Sequence, residues 1–168
     1  MSVKSFEDLF ITELSDIYSA EKQLTKALPK LAEAASNEEL KQALSDHLEE
    51  TEGQVDRIEK IIKSEKLTLK RKKCEAMAGL IEEGAEAIET IEQGPLLDVA
   101  IIMGGQKVEH YEIAAYGSLI ELGKLLGYDT AVDLLGETLE EEKGADEKLT
   151  DIAVGGVNEE AQEMRASM

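Results

Sequence analysis

Glutamate occupies positions on this chain where a helical protein should carry leucine or alanine. Glu21, Glu109, Glu112 and Glu142 fall on the apolar seams of three predicted helices, and Glu50 flanks the seam of a fourth. A carboxylate turned into a core costs free energy unless something positive compensates it. Carboxylates that converge inside a helical bundle are a known way to hold a pair of iron or manganese ions.

The seams come from spacing. Phe10, Leu14, Ile17, Glu21, Leu24, Leu28 and Leu31 step by four and three, the period of an amphipathic helix. Ser5, followed by Glu7 and Asp8, suits its start, and Pro29 lies inside it as a place where it can kink. Asn37 caps a second predicted helix with Leu40, Leu44, Leu48, Thr51, Val55, Ile58 and Ile62 inward. Residues 65–73 read as a basic, solvated connection. A third helix carries Cys74, Met77, Ile81, Gly84, Ile88 and Ile91, and Gly94-Pro95 ends it. A fourth runs from about residue 96 to 126 and is apolar on two sides, which suits a central helix or an interface. After Gly127, a fifth has the seam Ala131, Leu135, Thr138, Glu142, Ala145, Leu149 and Ile152. The pattern predicts an all-α chain: a ferritin-like four-helix bundle of two antiparallel hairpins, with an additional helix in the crossover. Residues 1–156 form one domain in this reading, and 157–168 a frayed polar tail.

Depth brings the glutamates together. Glu21 and Glu50 lie about 15 residues either side of the first turn, and Glu112 and Glu142 about 15 either side of the second. At about 1.5 Å per residue, all four stand roughly 21–23 Å from their turns. Glu109 is one turn from Glu112 on the same face. The expected metal set is Glu21, Glu50, Glu109, Glu112 and Glu142, with Glu141 as rival to Glu142 and His47 as a further candidate three residues before Glu50. Iron or manganese suits such a set, so a di-iron or di-manganese centre is expected. His110 adjoins Glu109 but points about 100° away.

Blander readings stand beside this one. A glutamate on a seam is also how a snorkelling or interface residue looks. Glu49 and Glu140 read as solvated, and His47 alone suits a hydrogen-bonded histidine. Tyr18 and Tyr116 lie one turn from Glu21 and Glu112, within reach of them or simply packed. The chain has 37 acidic and 18 basic residues, a net charge of −19, which disfavours nucleic acid and anionic lipid. One cysteine excludes an internal disulfide framework, and no apolar run is long enough for a membrane span. A cytoplasmic location is expected.

Four stretches carry a resemblance. They are Leu14-Ser15-Asp16-Ile17-Tyr18-Ser19-Ala20-Glu21-Lys22-Gln23-Leu24, His47-Leu48-Glu49-Glu50-Thr51, Gln106-Lys107-Val108-Glu109-His110-Tyr111-Glu112-Ile113-Ala114 and Thr138-Leu139-Glu140-Glu141-Glu142-Lys143. In these the chain resembles the ferritin-like YciE/YciF family of bacterial stress proteins. The resemblance implies a five-helix subunit, a homodimer and a link to stress, with no settled enzymatic activity. The wider di-iron superfamily implies Glu on the first helix, Glu-x-x-His on the second and fourth, and Glu or Glu-x-x-Glu on the third. Glu21 and Glu109-x-x-Glu112 match it. Gly53 follows Glu50 where histidine is expected, and Gly144 or Ala145 stands at the other histidine position.

Three functions remain open at this point. One is a di-metal carboxylate protein of the stress response, with at most weak ferroxidase or peroxidase activity. Another is a non-enzymatic dimeric interaction protein with a vestigial metal site. The third is a scaffold that binds a small ligand between helices.

Overall fold

The computed structural model describes residues 3–166, and its regular structure is helical throughout. The elements are α1 (Phe6–Ala34), α2 (Glu38–Ser64), α3 (Glu75–Thr90), α4 (Pro95–Leu126), α5 (Asp129–Ile152) and a short α6 (Asn158–Ala166). Among the described residues no helix is long and apolar enough to cross a membrane.

Local chemistry sets the helix ends. Ser5 Oγ accepts from the Asp8 amide at 3.0 Å, and Asn37 Oδ1 from the Leu40 amide at 3.0 Å, each meeting an amide that would otherwise lack a partner. Gly127 ends α4 in the left-handed conformation, φ 72°, open to glycine at no steric cost. α1 continues through Pro29 to Ala34 as one helix.

α1 packs on α2 and α4 on α5, each pair joined by a short turn and therefore antiparallel. The hairpins meet where α2 faces α5 and α1 faces α4, and α3 lies in the crossover against α1 and α4. This is the ferritin-like bundle with a crossover helix that the hydrophobic period predicts.

Three local expectations change. The buried line of α2 is Leu40, Leu44, His47, Thr51, Gln54, Ile58 and Ile61, so Leu48, Val55 and Ile62 only flank it. The connection at 65–73 is tied to α1 rather than loosely solvated. The Lys70 and Cys74 amides donate to Ser15 Oγ and Ser19 Oγ at 2.9 and 3.0 Å, and Lys72 pairs with Asp16 at 2.9 Å. Finally, a helix and not a frayed tail follows Gly155-Gly156 over the described residues, to Ala166. Gly156 kinks it at φ 155°, ψ −33°, Val157 is buried, and α6 packs on α4.

Asp98 joins the hairpins. This buried carboxylate at the start of α4 accepts from the Ser36 and Asn37 amides at 2.7 and 2.9 Å, fixing the α1–α2 turn against α4. Removing it strands two amides. Asp98→Ala is expected to lower unfolding free energy by about 2–4 kcal/mol, measured by urea titration.

Candidate metal centre

Four helices deliver side chains to one slab of the core. α1 brings Glu21, α2 His47, α4 Glu109 and Glu112, and α5 Glu142, and none is more than 6% exposed. One ligand atom from each of His47, Glu109, Glu112 and Glu142 lies within 4.8 Å of all the others. His47 Nε2 is 3.2 Å from Glu109 Oε1 and 3.7 Å from Glu142 Oε2. Glu21 stands against Glu112, and its Oε1 accepts from the Tyr116 hydroxyl.

Most of the donor atoms have no hydrogen-bond partner. Glu21 Oε2, Glu109 Oε2, both oxygens of Glu112 and both of Glu142 are buried without a hydrogen-bond partner, and His47 Nε2, though close to Glu109 and Glu142, makes no well-aligned hydrogen bond. Among the described residues none of the four buried glutamates has a lysine or arginine within ion-pair distance. The nearby cation is diverted: Arg57 grips Glu141 with two bonds of 2.6 Å, touches Thr138 at 3.2 Å and pairs with Glu137 at 3.3 Å. Native interiors rarely leave so many polar atoms unmatched.

Titration responds accordingly. Burial pushes Glu21 up to about 7, against the opposing pull of the Tyr116 hydroxyl and His47. Burial and the neighbouring carboxylates, Glu21 first, hold Glu112 well above the usual carboxylate range. Burial and Glu109 do the same for Glu142. Burial alone would lower His47, but Glu109, Glu50 and Glu142 together hold it well above its ordinary value.

Two of the seven candidates lie elsewhere. Glu50 is half-exposed and sits behind the imidazole, its Oε2 3.2 Å from His47 Nδ1. A carboxylate there orients a ligating histidine and leaves Nε2 turned to the centre. Between the rivals on α5, Glu142 turns inward with no exposure, and Glu141 binds Arg57 and Gln54 on the outside. His110 is exposed and meets Asp146 at 3.1 Å. Tyr18 donates to Glu59 at 2.9 Å and not to Glu21. Gln54, fully buried with Oε1 unpartnered, was not singled out by the sequence pattern. The run 40-44-47-51-54-58-61 steps by four and three throughout, and would have exposed both His47 and Gln54.

Cys74 caps α3 through its sulfur, which accepts from the Met77 amide at 3.4 Å, and it contacts the Tyr111 hydroxyl at 3.0 Å. Burial raises its thiol, which agrees with a packing role.

Fold and site together define a ferritin-like four-helix bundle with a buried His/Glu group able to hold a metal ion. The chain belongs to the DUF892 family, a domain of unknown function whose model matches residues 5–162. It is 58% identical over 163 residues to protein YciF of Escherichia coli (strain K12), covering 96% of this chain and 98% of that protein. The crystal structure of the E. coli stress protein YciF matches with a TM-score of 0.90 over 93% of this chain and 99% of that one. YcfI from Rhodopseudomonas palustris matches at 45% identity and a TM-score of 0.84, over 89% of this chain and 95% of that one. A Xanthomonas campestris protein, 18% identical with a TM-score of 0.74 over 98% of this chain and 100% of that one, shares the fold alone. The resemblance to the YciE/YciF group therefore holds over nearly the whole chain.

The raised carboxyls set the sign of the pH dependence. A glutamate at 4.5 when unfolded and higher when folded contributes stability below pH 4.5 that is lost as pH rises through its folded value. His47, also raised, acts in the same direction. Chelator-treated protein is therefore expected to lose melting temperature from pH 4.5 to about 7. Glu112→Leu should flatten that loss and raise Tm at neutral pH by roughly 2–8 °C, read by calorimetry across the pH range.

Proposed function

We propose that this chain is a di-metal carboxylate protein of the bacterial stress response, holding two iron or manganese ions among Glu21, His47, Glu109, Glu112 and Glu142. The observation that carries this is the set of buried donor atoms without a hydrogen-bond partner, with no lysine or arginine within ion-pair distance among the described residues. Charge supports a pair of ions. Two divalent cations would balance four buried carboxylates around a neutral imidazole, whereas one would leave net negative charge in a dry core. The donor set favours iron or manganese: carboxylate oxygens predominate, and the imidazole suits a transition metal better than calcium. Glu50 would hold His47 by its Nδ1 and Tyr116 would hold Glu21. Bound there, such ions supply one-electron redox chemistry toward dioxygen or peroxide that side chains lack. Ferroxidase or peroxidase turnover is the activity to assay.

A second reading, a non-enzymatic interaction protein with a vestigial site, draws on Gly53 and Ala145 standing three residues after Glu50 and Glu142, where the superfamily carries histidine. Elemental analysis separates the two. Protein grown with iron and manganese and purified without chelator is expected to carry about two transition-metal ions per chain. Glu109→Ala with Glu112→Ala should lose them, and Glu141→Ala should keep them. A metal-free wild type that ignores added iron and manganese would leave the vestigial reading standing.

The homodimer is proposed through the outer face of α1 and α4. A groove there is lined by Leu9, Ile113, Gly117, Leu122 and Leu125, and Leu125 is 71% exposed, with Phe6 at 60%. Exposed apolar patches of this kind mark association surfaces. Sedimentation should give a dimer for the wild type and a monomer for Leu125→Lys.

A further inference from the structure

A cavity of about 800 Å³ lies beside the carboxylate cage, in the half of the bundle that leads toward the α1–α2 turn, with α3 along one wall. It follows α4 from Glu109 back to Ala100, a length of about 13 Å. Its inner end is His47 and Glu109, so it opens onto the centre described above. Small-molecule sites span roughly 300–1,000 Å³, and this one is a cleft open to solvent along its rim.

The lining specifies an occupant. Leu24, Leu28, Leu44, Ile101, Val108 and Leu149 supply aliphatic walls, and no Phe, Tyr or Trp lines the space. Such a surface suits a hydrocarbon chain better than a flat ring that would stack. The wall has room at Gly104, half-buried on the lining, where a Cβ would meet nothing within 4 Å. At Gly105 a Cβ would come within 2.9 Å of Leu149 Cδ1, so this glycine lets the wall form.

The rim is asymmetric in charge. Lys26 and Lys30 line it one turn apart on α1, exposed, and neither joins an ion pair among the described residues. The α2 and α5 side carries Asp46 and Glu50, while Glu140 there pairs with Lys143 and Lys148 with Glu39. An anionic head is repelled by that side and by the cage, and attracted to the two lysines.

We propose that this cavity binds an acyl chain, with its carboxylate at Lys26 and Lys30 and its hydrocarbon end directed to His47 and Glu109. Its purpose rests on the metal reading, because it names an aliphatic carboxylate as the substrate class that the centre faces. Binding itself needs only the cavity.

Dodecanoate titrated calorimetrically into the full chain, metal-free and manganese-loaded, tests it. One chain is expected to bind one dodecanoate. Gly104→Leu, which fills free space, and Lys26→Glu with Lys30→Glu, at exposed positions, should each weaken binding by about tenfold or more with the helical spectrum retained. Dodecyltrimethylammonium should bind more weakly than dodecanoate. Absence of dodecanoate binding, unchanged affinity in both variants, or preference for the cationic amphiphile would overturn the proposal. Metal content measured on the same samples keeps the two questions apart. Dodecanoate bound without metal uptake sinks the metal reading and leaves the cavity, and metal uptake without dodecanoate binding does the reverse.

Discussion

Four carboxylates and an imidazole held within a few ångströms cannot all be ionised and unpartnered in a dry core. Much of the interior is arranged around that constraint. Tyr116 meets one oxygen of Glu21, and Glu50 steadies the outer nitrogen of His47. Arg57, the cation best placed to quench the charge, is tied up by Glu141, Glu137 and Thr138. The cage is left short of positive charge by construction. That shortage makes the protein's stability in the absence of metal depend on protons, and gives the site its proposed affinity for divalent ions.

The same slab divides the bundle. Within each hairpin the short turns hold the helices in register, and Asp98 clamps the first turn to α4. Between the hairpins, packing on the α1–α2 turn side of the cage gives way to a cavity lined by glycine, alanine and aliphatic side chains. The crossover helix α3 forms one wall of it, with Met77 its one buried residue and Ile81 and Ile88 half-buried. The donor set of the cage therefore borders an open, mostly aliphatic space.

Period and punctuation made most of the fold legible. The four-and-three stepping of α1 and α5, the caps at Ser5 and Asn37 and the stops at Gly94-Pro95 and Gly127 all lie in local sequence, and the helices follow them. The equal depth of Glu21, Glu112 and Glu142 was legible because a straight helix converts residue count into height. His47 was harder to place. Its seam carries three polar residues in succession, His47, Thr51 and Gln54, and Leu48, Val55 and Ile62 offered a more apolar line one position away. Burial of Gln54 and His47 is set by what faces them on α4 and α5, which no single helix records. The attachment of residues 65–73 to Ser15 and Ser19 was equally hidden, because a basic loop looks solvated until its acceptors are known. So was α6, whose polar sequence follows the buried Val157 only after the bend at Gly156.

The chain by itself determined that it would be helical, where α1, α2, α4 and α5 would begin and end, and that several carboxylates would turn inward at one height. Those properties depend on spacing and on backbone chemistry within a few residues. Tertiary structure alone decided which atoms meet. It chose Glu142 over Glu141 by giving Glu141 an arginine from α2, and it put Glu50 behind His47 rather than beside it. It also left an aliphatic space next to the cage. Each of these depends on the distance and rotation between helices, and those are set by the summed packing of all the faces together.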